Sequence, residues 1–78
     1  MQLVYSAEWH DHSSVGSTVA ISQYVGRVEF SSYRWSYLWT VEYGEDAAII
    51  ELGRCGDDAE ARDAVEKAIR AHAELNVR

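Results

Sequence analysis

Apolar and polar residues alternate with a period of two through most of the chain up to residue 55 and recur every three or four residues after 57, which predicts a sheet followed by a helix. Leu3, Tyr5, Ala7 and Trp9 alternate with Val4, Ser6 and Glu8, predicting a strand over residues 2–9. His10 to Gly16 (HDHSSVG) breaks the alternation and reads as a loop. Beyond it Val19 and Ile21 take one face while Thr18, Ala20 and Ser22 take the other; Gly26 interrupts, and Val28 and Phe30 resume the pattern. A glycine inside such a run marks a turn or a bulge, so this section reads as two strands or as one bent strand.

The clearest unit runs from Tyr33 to Cys55. Trp35, Tyr37, Trp39, Val41 and Tyr43 share one face of a strand, and Ala48, Ile50 and Leu52 share one face of the next. A hairpin turning at Gly44-Glu45-Asp46-Ala47 sets Val41 opposite Ile50 and Trp39 opposite Leu52, apolar against apolar. Gly53 to Gly56 (GRCG) ends the sheet, and Asp57 caps a helix, with Glu60 completing a capping-box pattern. Ala61, Val65, Ala68, Ile69, His72 and Leu75 then form one apolar stripe over about 18 residues. The pairs Asp63–Lys67 and Glu66–Arg70 mark the wet face.

These elements predict an α+β fold: an antiparallel β-meander of four to five strands over residues 2–55, with one helix over 57–75 packed on one face. The expected core is Trp39, Val41, Ile50, Leu52, Val65 and Ile69. One helix covers one face of such a sheet, so the other is left for a partner or a second copy. Tyr24, Tyr33, Leu38 and Ile49 fall off the main apolar face and are the candidate residues of that interface.

At 78 residues the chain has room for one core and one domain, residues 1–78. With 47% apolar and 26% charged residues its composition is that of a folded domain, not of a disordered tail. The lone Cys55 cannot form an internal disulfide, and neither a signal-like N-terminus nor a membrane-length apolar run is present, so a soluble protein of the reducing cytoplasm is expected. The net charge of −6 is regional. Residues 42–66 hold nine acids against Arg54 and Arg62, a local net of −7. Such a field repels phosphate backbones and suits a basic partner, which counts against direct nucleic-acid binding. Glu42, Glu45, Asp46, Glu51, Asp57, Asp58 and Glu60 are therefore the candidate partner-binding residues.

Chemistry of other kinds has thin support. His10-Asp11-His12 offers metal-ligand types, but a fourth ligand would have to come from Cys55 or His72 elsewhere, and ordinary loop residues are the better reading. No metal or other cofactor is expected. His72 reads as an amphipathic residue near the helix C-terminus. Ser13-Ser14 and Ser31-Ser32 sit in no nucleophile motif, Asp57-Asp58 already have a capping role, and no phosphate-cradling glycine loop is present, so an enzyme is not expected. Tyr33-Arg34-Trp35-x-Tyr37-x-Trp39 has the look of a base-stacking strand. With only Arg27 and Arg34 beside it and acids on the next strand, core packing is the better reading.

The order of a Trp-x-Val strand, Ile-x-Glu-Leu-Gly and an alanine-rich helix (Ala59, Ala61, Ala64, Ala68, Ala71, Ala73) resembles small proteins of phages and mobile elements. In size, acidity and lack of catalytic motifs the chain also looks like anti-CRISPR proteins, phage-encoded inhibitors that bind a CRISPR effector complex and occlude its DNA-binding surface. That resemblance implies a non-enzymatic inhibitor in the host cytoplasm, and carries over no particular residue. Two alternatives are a homodimeric structural or regulatory protein using the open aromatic sheet face, and an accessory domain that binds a peptide by strand addition.

Overall fold

The computed structural model describes residues 8–12, 16–31 and 35–76. Five antiparallel strands lie in chain order, β1 (Trp9–His12), β2 (Gly16–Ile21), β3 (Tyr24–Ser31), β4 (Ser36–Tyr43) and β5 (Ala48–Cys55), followed by one helix, α1 (Asp58–Asn76). The helix packs on one face of this open sheet, over β3, β4 and β5. The fold is the expected α+β meander, with five strands. Among the described residues no helix is long and apolar enough to cross a membrane.

The strand expected over 2–9 lies largely outside the described residues. Its last member, Trp9, opens β1, and His10, Asp11 and His12 continue that strand rather than a loop. Gly16, also assigned to the loop, begins β2. Between β2 and β3 the chain reverses at Ser22 and Gln23, with Ser22 in the left-handed region at φ 57°. A positive φ there matches the twist of the two strands. Gly26 does not interrupt anything. It pairs with Val19 on one side and Val41 on the other in the middle of β3, and a Cβ there would stand 2.3 Å from Val65 Cγ1. The missing side chain makes room for the helix, a tertiary requirement that local alternation does not reveal.

The hairpin turns at residues 44–47 as predicted, with Gly44 at φ 82° and Ala47 at φ 52°. Its register follows the prediction only at the turn end, where Tyr43 pairs with Ala48 and Glu42 with Ile49. A bulge between Val41 and Glu42 on one side and Ile49 and Glu51 on the other leaves Ile50 as the extra residue, and beyond it Val41 faces Glu51, Thr40 faces Leu52 and Trp39 faces Gly53. A bulge of this kind reverses which face each later residue takes. Leu52, expected in the core, is consequently 59% exposed on the side away from the helix. Gly53 takes the place beneath Trp39, and a Cβ on it would meet the indole at 2.7 Å.

The core comprises Val19, Ile21, Tyr24, Val28 and Val41 from the sheet and Ala61, Val65, Ile69 and Ala73 from the helix. Trp39 and Ile50 are half-buried against it. Of the six expected core residues only Leu52 is misplaced. The helix begins as its sequence suggests: Asp57 Oδ1 accepts from the Glu60 backbone N–H at 2.7 Å, and the Asp57 carbonyl accepts from Ala61 N–H. Lys67 and Asp63 form the expected pair at 3.0 Å. Leu75, counted in the apolar stripe, is exposed, while Ala73 takes the last buried position among the described residues. Trp35 does not join the face of β4 either. It sits in the turn before that strand at φ 49°, exposed, with its ring edge-on to Phe30.

Candidate functional site

Because the sheet order is β1 to β5, the two free edges are β1 and β5, and they are treated differently. The β1 edge has four residues and is tied to the helix. Trp9 Nε1 donates to Glu66 Oε2 at 2.9 Å, so Glu66 is not simply a wet-face residue. Arg62 Nη2 donates to Asp11 Oδ1 at 2.7 Å, and the guanidinium lies 5.2 Å from the Trp9 ring centre. Arg62 Nε is also 3.0 Å from Asp58 Oδ2, an ion-pair distance without the alignment of a hydrogen bond. The β5 edge has eight residues, and no strand among the described residues pairs with its outer side.

The acidic residues follow this second edge. Glu45 and Asp46 are exposed in the turn at one end of β5, Glu51 is exposed at the bulge, and Asp57, Asp58 and Glu60 stand where the chain leaves β5 and enters α1. Eight residues of strand separate the two ends by roughly 26 Å. The seven candidate acids differ in how far they are already engaged. Glu42 lies on the open sheet face in an ion pair with Arg27 at 3.3 Å, Asp57 caps the helix, and Asp58 faces Arg62. Glu45, Asp46, Glu51 and Glu60 are exposed and enter no ion pair among the described residues. These four carboxylates are divided between the turn before β5, β5 itself and the first turn of α1.

The open sheet face holds Leu38 and Ile49 as expected, but not Tyr24. Tyr24 is buried under the helix, where its hydroxyl lies 2.8 Å from His72 Nδ1 and its ring packs against Tyr43 at 4.7 Å. The exposed-looking tyrosine is core because its strand begins two residues earlier than a break at Gly26 implies. Tyr33 lies outside the described residues. Leu52 is the residue of this face that the sequence pattern concealed, since only the bulge directs it there.

A groove of about 340 Å³ opens between the helix start and the sheet, lined by Asp11, Ser17, Phe30, Tyr37, Asp58 and Arg62. Ser17 is buried there and its Oγ has no hydrogen-bond partner. Both carboxylates of the groove already hold its one cation, and no imidazole lines it to activate the hydroxyl. His10 and His12 share the opposite face, where His12 Nε2 lies 2.8 Å from Thr18 Oγ1, while His72 and Cys55 are on the helix side. Among the described residues no three His, Cys, Asp or Glu side chains gather as a metal-ligand set.

The fold and its charged edge define the class: a small open-faced α+β meander with one tied edge and one acidic free edge. No known protein family, curated protein or solved structure matches the chain.

Proposed function

We propose that the protein is a non-enzymatic binding module whose acidic β5 edge docks on a basic, nucleic-acid-binding surface of another protein and keeps nucleic acid off it. The observation that carries this reading is the set of four exposed carboxylates that enter no ion pair among the described residues: Glu45 and Asp46 in the turn before β5, Glu51 on β5, and Glu60 in the first turn of α1. Local needs account for Glu42, Asp57 and Asp58 but not for these four. Carboxylates spaced along a rigid strand offer a partner's lysines and arginines the charge that phosphates would otherwise supply. The same charges keep two such edges from pairing with each other. By its resemblance in size, acidity and feature order, the partner is a CRISPR effector complex in a host cytoplasm, whose channel for the guide–target duplex is rich in basic residues.

Competition for target DNA on a purified CRISPR effector complex, followed by fluorescence anisotropy at low salt, tests this reading. The protein is expected to displace the DNA. The pairs Glu45→Lys with Asp46→Lys, and Glu51→Lys with Glu60→Lys, are expected to weaken displacement about tenfold each and to flatten its salt dependence. Glu74→Lys, an exposed helix carboxylate outside these four, is the control and leaves displacement unchanged. Absence of displacement at low salt, or displacement indifferent to the edge reversals, overturns the proposal.

A further inference from the structure

The face of the sheet opposite the helix has an amino-acid content unlike the rest of the molecule. Directly paired residues share a face, so the register defines it row by row. One row runs Ala20, Val25, Glu42, Ile49, the next His10, Thr18, Arg27, Thr40, Leu52, and the third His12, Gly16, Glu29, Leu38, Arg54. In an unbroken strand Ile49 and Leu52 would point to opposite sides. The bulge brings both to this one, 57% and 59% exposed. Leaving these two large aliphatic side chains in water brings a monomer no stability.

The charges of the face point to its occupant. Arg27 and Arg54 balance Glu29 and Glu42, so these rows are neutral and the whole net charge of −6 resides on the remainder of the chain. A basic partner therefore has no purchase here, whereas two copies of the acidic chain repel each other least when they meet through this face.

We propose that this face is the interface with a second copy of the chain, two sheets packing face to face with the helices outermost. An axis along β4 overlays the three eight-residue strands β3, β4 and β5 of the two copies; about 4.8 Å apart and about 26 Å long, they present roughly 370 Å² per copy, or about 750 Å² in total, the size of a weak, concentration-dependent association. Glu29, Leu38 and Arg54 occupy successive strands β3, β4 and β5 in one row. A two-fold axis running along β4 therefore sets Glu29 of one copy over Arg54 of the other, twice, and Leu38 against Leu38. Glu42, which the same axis brings towards its counterpart, is already neutralised by Arg27 at 3.3 Å.

Sedimentation equilibrium of the full chain from about 1 to 100 µM tests the proposal. A dimer is expected whose association strengthens between low and high salt, because screening relieves the repulsion between two net charges of −6. Leu52→Asp and Ile49→Asp are expected to give monomers, and Leu75→Asp, the same kind of change on the exposed end of the helix, to leave the dimer intact. Circular dichroism of each variant separates lost association from lost folding. Arg54→Glu is expected to weaken the dimer about tenfold, and adding Glu29→Arg to restore it. A wild-type monomer at 100 µM overturns the proposal, as does a dimer that persists in both aspartate variants or a charge swap without rescue. A dimer that fails to displace DNA would count against the acidic-edge reading alone.

Discussion

The two faces of the sheet are made by the same five strands and differ in what each asks of a side chain. On the helix side space is scarce. Val41, Val65 and Ile69 are wholly buried, Gly26 lacks a side chain so that Val65 can approach, and Gly53 lies bare under the Trp39 indole. On the open side space is free, and Ile49 and Leu52 stand in water beside the Arg27–Glu42 pair. One strand, β5, serves both faces and changes its allegiance at the bulge: Ile50 packs toward the core, and Leu52, two residues on, faces away from it. Hydrophobicity alone therefore does not mark the core of this chain. The neighbours across the sheet and beneath the helix decide it.

Truncations of equal chemistry on the two faces would break or sharpen this contrast. Ile69→Ala removes a side chain with no exposed surface from the centre of the helix–sheet contact. It is expected to destabilise by about 2–4 kcal/mol in denaturant melts, a large share of what so small a domain has. Gly26→Ala adds a methyl 2.3 Å from Val65 Cγ1 and 3.0 Å from Val19 Cγ1. Overpacking of this kind is expected to cost about 1–3 kcal/mol in the same melts, and a neutral result would mean that the helix sits farther from β3 than described. Leu52→Ala, read at submicromolar concentration where the chain is monomeric, is expected to change stability by less than about 0.5 kcal/mol. A loss approaching that of Ile69→Ala would return Leu52 to the core and remove the bulge on which the open face depends.

Much of the fold was legible in the residues because it rests on local rules. The change from period two to a spacing of three and four separates sheet from helix, Gly44 supplies the turn of the last hairpin, and Asp57 satisfies a backbone donor at the helix start within its own few residues. The acids at the β4–β5 turn and at the helix start were legible for the same reason.

What the tertiary structure alone decided are the features that depend on a distant neighbour. Gly26 reads as a break until Val65 is seen above it, and Tyr24 reads as surface until His72 and Tyr43 close around it. His10 to His12 read as a loop until β2 pairs with them. Which carboxylates are engaged, Glu42 by Arg27 and Asp58 by Arg62, follows from residues 15 apart across the sheet in one case and four apart on the helix in the other; only the second spacing is written in the chain. The bulge is the extreme instance. Perfect alternation through Ala48, Ile50 and Leu52 argues for an unbroken strand, yet Trp39 needs a residue without a side chain beneath its indole, and Gly53 reaches that place only if one residue of β5 is left unpaired. Close packing of a large ring outweighs the matching of one leucine, and that balance is struck between strands, where no periodicity along a single strand records it.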